Sequence, residues 1–354
     1  MSREDPPTLI CLPYDGVHPA FASSPRFCGR GAAVLGRARV GADAWLGHYA
    51  VLRADGHDIR IGDRAHFGHH ATVHIADSVY PAHVGHHVSV GNDAVVHACE
   101  IGDECVIEDG ATVLDGAVVG KGSIIERDAV VYPRARLAPG QRYAGNPAQP
   151  ISAVDGAELA ARHAAMRSYA ERTAPFMTPK PSSGSPKCGA GVFVAPGVRV
   201  AGKIELGGQA NIWFGCDLSG GGRGIRIGVG ANVQDNSFLF SVTGELVLEE
   251  EVTIGHNVFM QDCRVLAGSL VGISSYLAPG TVVESDVLVA AGAVTTPGQV
   301  LESGFLWGGR PARRIRPLDD AMRAVMREVP VIYRSYAAQF GARAAQRQRA
   351  AVET

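Results

Sequence analysis

IGDECVIEDGATVLDGAVVGKGSIIERDAVVYPRARL, residues 101–137, carries an aliphatic residue at every sixth position: Ile101, Ile107, Val113, Val119, Ile125, Val131 and Leu137. A period of six matches neither the 3.6-residue repeat of an amphipathic helix nor the two-residue alternation of a surface strand. It matches a coil of short strands, in which each hexad turns one aliphatic side chain inward and a small residue opens the corner. The same beat returns at Val265, Val271, Leu277, Val283, Val289, Thr295 and Leu301, displaced by a constant 164 positions. Earlier stretches follow it as well, at Val34, Val40, Leu46 and Leu52 in one half and at Val194, Val200, Leu206, Ile212 and Leu218 in the other.

Three hexads make one triangular turn, so the period predicts a mainly β fold of two left-handed parallel β-helices of the hexapeptide-repeat kind. An ordinary β-sandwich would not hold a fixed six-residue step over so many repeats. Each solenoid is followed by a helical tail, near 157–172 and 318–347, and the two tails share RSYA at 167–170 and 334–337. The Pro, Ser and Gly content of 174–190 marks a linker. The expected domains are therefore 1–173 and 191–354, each a β-helix with a C-terminal α-helix.

Composition agrees with that architecture. The 354 residues are 46% hydrophobic but only 6% aromatic, and 44 are glycine, which suits an aliphatic core with many tight corners. A net charge of −2, with charges interspersed, excludes the basic stripe of a nucleic-acid binder. No stretch is long and apolar enough to span a bilayer, and MSREDPPTL does not read as a secretory signal. The expectation is a cytoplasmic protein that binds neither nucleic acid nor membrane. Seven cysteines without a CxxC pair argue against a disulfide scaffold or a thiolate zinc site. Cys99 and Cys263 hold equivalent places and read as small core residues.

Two ten-residue segments, VGNDAVVHAC (90–99) and IGHNVFMQDC (254–263), are copies of one template, yet each holds a single histidine at a different place. His97 stands opposite Gln261, and His256 opposite Asn92. With VLRADGHDIRIGD (51–63), HATVHIAD (70–77) and YAGNPAQPI (143–151), and with IRIGVGANVQDNS (225–237) and GGRPARRI (308–315) in the second half, these segments resemble the gamma-class carbonic anhydrases and their relatives, twice over. The resemblance implies a divalent metal, usually zinc and otherwise iron or cobalt, held by three histidines between neighbouring β-helices.

Carried over by that resemblance, the first metal histidine falls on His74 and Phe240, the middle one on Asn92 and His256, and the last on His97 and Gln261. Neither copy is complete. Hexad counting, with 76–83 taken as an excursion from one corner, puts His74 and His97 on one face, a turn apart, and His256 on the preceding face of its own solenoid. The glutamine that the family uses to hold the metal-bound water survives as Gln234, against Gly68. The family's interface pair survives as Arg53 and Asp55, against Ser219 and Gly221. The losses are complementary, which predicts one composite site between domain one and domain two.

Three imidazoles leave a fourth tetrahedral position for water, the open arrangement of catalytic zinc. Zinc lowers the pKa of such a water to about 7, so the expected chemistry is attack of a metal-bound hydroxide on carbon dioxide or on a small carbonyl or thioester substrate. Asn146 has a family counterpart near the site, replaced by Arg310 in copy two. His66, His69, His70, His83, His86 and His87 are expected to be solvated or to lie behind the ligands, with His83 or His87 as a substitute for Asn92. Tyr143 and Trp307 are expected to cover the solenoid ends. A metal-free hexapeptide acyltransferase using acyl-CoA, and a scaffold without chemistry, are the alternatives. The expected partners are a small-molecule substrate and a heterotypic one-to-two domain pairing, within a chain or in a homo-oligomer.

Overall fold

The computed structural model describes residues 9–176 and 182–352, with side chains described as far as residue 341. It divides into two compact units, Met1–Pro181 and Ser182–Thr354. Each is a parallel β-solenoid followed by a helix.

In the first unit the strands stack in three columns. One runs Val34, Leu52, Val73, Val96, Val113, Val131. The second runs Val40, Ile61, Val84, Ile101, Val119, Leu137. The third runs Cys28, Leu46, Phe67, Val90, Ile107, Ile125, Tyr143. These inward residues pack as one core, nearly all of them buried, because a parallel coil surrounded by its own backbone has only its lumen in which to remove aliphatic surface from water. The second unit repeats the pattern in Leu218, Leu239, Met260 and Leu277, in Ile227, Leu248, Val265 and Val283, and in Ile212, Val233, Ile254 and Val271.

Corner glycines are required by the coil spacing. A Cβ on Gly62 would lie 2.5 Å from the Gly85 carbonyl carbon one coil further on. Coil length varies, from 17 residues between Val96 and Val113 to 23 between Val73 and Val96. The excursion in that longest coil is shorter than 76–83, because Ala82–Val84 already forms a strand that pairs with Ile59–Ile61.

Helix α1, Gly156–Thr173, is capped by Asp155, whose carboxylate accepts from the Glu158 amide at 2.7 Å. Helix α2, Asp320–Val352, is fixed to its solenoid by Arg334, which donates to both Glu251 oxygens at 2.8 and 2.7 Å, and by Tyr333, Tyr336 and Phe340 around the buried Trp213. Of the expected linker 174–190, Ala174–Phe176 form a 3-10 turn, and Lys187–Cys188 pair with the second solenoid. Residues 177–181 lie outside the described residues. Tyr143 and Trp307 are buried at the last coils. All seven cysteines are free thiols; burial pushes the Cys263 thiol up to about 12 and Cys99 well above its ordinary value, as expected of core residues.

Candidate metal centre

On the first column, the residue that follows each inward aliphatic points outward. The register aligns Arg53 with His74 and His74 with His97, so three successive coils stack these side chains in one row. Arg53, Asp55 and His74 are buried. The Arg53 guanidinium pairs with Asp55 Oδ2, and Asp55 Oδ1 lies 2.9 Å from His74 Nε2. The other His74 nitrogen, Nδ1, faces His97 Nε2 at 3.3 Å, and His97 Nδ1 meets Asp115 Oδ1 at 2.6 Å.

This chain of contacts fixes the tautomers. A carboxylate only accepts, so His74 carries its proton on Nε2 and His97 carries its proton on Nδ1. Each then turns an unprotonated nitrogen toward the other. Two nitrogens on one tetrahedral ion at about 2.0–2.1 Å stand about 3.3–3.4 Å apart, and the observed separation matches. The donor set of the first unit therefore fits two ligands of a zinc-like cation.

In the second unit the corresponding row is Ser219, Phe240 and Gln261, which offers no imidazole. Phe240 instead packs on Phe238 and Phe259, the latter stacked on Tyr276. The preceding corner carries the polar groups. His256, wholly buried, has Nδ1 3.2 Å from Asp235 Oδ2 and Nε2 3.4 Å from the Tyr333 hydroxyl. Asp235 Oδ1 accepts from the Phe214 amide at 3.0 Å. Gln234 is buried and its amide donates to Asn232 Oδ1 at 3.3 Å, with Asn232 in turn donating to Thr253 at 2.8 Å. Tyr333, on α2, escaped the sequence reading; its counterpart in α1 is Met166, and only that difference at matched helix positions could have flagged it.

The equivalent corner of the first unit is built differently. Asn92 Oδ1 accepts from the His69 amide at 2.8 Å and its own amide N–H donates to Asp109 at 2.8 Å, so it serves the corner. Asn146 lies in the closing turn, where Gly145 and Ala148 bond to Val130, two coils beyond His97 in the same column. The register does not bring it into the histidine row.

The remaining histidines divide into two groups. Of the two expected settings, solvated or behind the ligands, His66 and His69 are not solvated but buried: α1 and its 3-10 turn cover them. His69 Nδ1 accepts from the His48 amide at 3.0 Å and Nε2 meets Thr173 at 3.3 Å, while His48 Nε2 meets the Ala174 carbonyl at 3.0 Å. Burial holds His66 down at about 3 and His69 at about 4. His70 stacks on Tyr49. His83 belongs to the second column, between Arg60 and Glu100, and pairs with Asp58 at 3.7 Å. That column is not the one of His74, so His83 is misplaced as a substitute ligand. His86 Nδ1 accepts from the Asp63 amide at 3.0 Å, and His87 sits near Arg64 and Arg167, which together with burial lower its pKa.

No family model matches the chain. It is similar to gamma carbonic anhydrase 2 of Arabidopsis thaliana mitochondria, 36% identical over 143 residues, which are 38% of this chain and 51% of that protein. The chain thus spans about half the length of that plant relative. It is also similar to a carbonic anhydrase of Geobacillus kaustophilus, 31% identical over 155 residues, 43% of this chain and 82% of the relative. Among solved structures, a candidate acetyltransferase from Desulfovibrio desulfuricans G20 overlays 85% of this chain and 70% of its own at a TM-score of 0.50 and 15% identity, a likeness of fold alone. With the hexad solenoid present twice and a relative matched over most of its length, the chain belongs to the gamma carbonic anhydrase-like hexapeptide-repeat family, as a tandem duplication.

Proposed function

We propose that the protein is a metal-dependent lyase or hydrolase with one composite site per chain, in which His74 and His97 of the first unit and His256 of the second hold a single zinc ion or a similar divalent cation. The observation that carries this reading is the 3.3 Å approach of His74 Nδ1 to His97 Nε2, each with its far nitrogen on a carboxylate. That arrangement offers two lone pairs to a cation and lacks a third imidazole in its own unit, and the second unit supplies one at the family's middle position.

When bound, such a cation supplies Lewis acidity and acidifies water near neutral pH. The protein's own groups do the rest. Asp55, neutralised by Arg53, keeps the His74 tautomer fixed. Gln234, held by Asn232, presents its side chain beside His256 and would orient a small substrate or water. Heterotypic pairing of the first and second units, within a chain or between chains, is the assembly this site requires. Carbon dioxide, or a small carbonyl or thioester compound, is the substrate class. Among the described residues no helix is long and apolar enough to cross a membrane, and seven free thiols favour a reducing compartment such as the cytoplasm.

Protein purified without added metal is to be analysed for bound divalent ions and assayed for carbon dioxide hydration and thioester hydrolysis. Activity that a chelator abolishes and zinc restores supports the proposal. Full activity in demetallated protein with an acyl-CoA donor would replace it with metal-free acyl transfer, and no activity with silent histidine variants would favour a scaffold.

A further inference from the structure

His74 and His97 each have a carboxylate on one ring nitrogen: His74 Nε2 has Asp55 at 2.9 Å and His97 Nδ1 has Asp115 at 2.6 Å. The two carboxylates come from different places in the fold relative to their histidines, the preceding coil for Asp55 and the following coil for Asp115. No single structural habit of the solenoid produces both.

The duplication supplies an internal control. Where the second unit has Phe240 in place of His74, it has Gly221 in place of Asp55. Where it has Gln261 for His97, it has Pro279 for Asp115. In both cases histidine and carboxylate are present together and absent together. A carboxylate kept to cap a corner or to solubilise the surface would have no reason to leave with a side chain on another coil.

Resting on the function proposed above, we infer that Asp115 is a positioning residue of the metal centre. It fixes the proton of His97 on Nδ1, so that Nε2 of that ring offers its lone pair to the cation. A hydrogen bond of this kind both selects the tautomer and raises the basicity of the ligating nitrogen. Its side chain is 41% exposed, and a surface aspartate would otherwise be read as solvated.

The substitution Asp115→Asn preserves shape and, with its amide N–H turned to His97 Nδ1, holds the ring proton on Nε2 and blocks the ligand; Asp115→Ala removes the acceptor altogether. Zinc affinity, measured in the full chain by competition with a chromophoric chelator at constant pH, should fall about 10–100-fold for each. In the metal-free protein, imidazole nitrogen NMR should show His97 changing from the Nδ1–H to the Nε2–H form in Asp115→Asn, a readout that a purely structural role would not move. Asp103→Asn, which removes a carboxylate bonded to the His86 amide at 2.8 Å, should leave affinity unchanged. Equal zinc affinity in Asp115→Asn and the unaltered protein overturns the inference while the proposed function stands. Failure of the unaltered protein to bind any divalent metal overturns both.

Discussion

Asp55 accepts from two neighbours at once, the Arg53 guanidinium and His74 Nε2, the latter at 2.9 Å, and all three side chains are buried. Removing the cation leaves an uncompensated buried carboxylate, which costs about 3–5 kcal/mol. Arg53→Met should therefore lower the unfolding free energy by that order in chemical denaturation. Adding Asp55→Asn to the same protein should restore a large part of the loss, since the double change removes the orphaned charge. A double variant as unstable as the single one would show that Asp55 was not left charged.

One divalent ion per chain is expected by elemental analysis. His256→Ala should remove it as completely as His74→Ala, although the two stand 182 positions apart in the sequence, because a three-histidine centre loses its open tetrahedron when any ligand is lost. Two equivalents of metal, or full retention in His256→Ala, would contradict a single composite site.

Acid should weaken the first unit through its covered histidines. His66 and His69 are held by burial at about 3 and about 4, below the value of about 6.5 for a free imidazole, so between those limits the unfolded chain binds more protons than the folded one. Stability is then full above about pH 6.5 and falls with decreasing pH, by up to about 1.4 kcal/mol per pH unit for each group. His69→Gln should flatten the slope of unfolding free energy between pH 6.5 and 4.5, measured in denaturant series on metal-free protein. An unchanged slope would mean that His69 does not remain neutral.

Gly62→Ala should destabilise the fold by about 1–3 kcal/mol, the range for forcing atoms into a filled space. The added methyl meets backbone of the next coil at 2.5 Å, and backbone cannot rotate aside. A thermal midpoint equal to that of the unaltered protein would show that the coils separate more easily than their hydrogen-bond ladder suggests.

Much of this protein is legible in its sequence. The hexad beat determines the solenoid, because every inward residue meets the same steric and hydrophobic demand once per strand. The duplication and the fate of His74, His97 and His256 could be read by aligning the copies, since equivalent coils keep equivalent positions. Asp55 and Gln234 emerged in the same way. The carboxylate partner of His97 did not. Asp115 lies 18 positions after its histidine, and coil length varies from 17 to 23 residues, so spacing alone does not say which side chains share a row. The burial of His66 and His69 was equally hidden. It depends on where α1 and the Ala174–Phe176 turn lie against the solenoid, and such docking is decided by packing between elements distant in the chain. The sequence by itself determined the repeating coil and the complementary placement of His74, His97 and His256 in the two copies. Only the tertiary structure decided which proton each imidazole keeps, because a tautomer is set by the neighbour that folding brings to the other nitrogen.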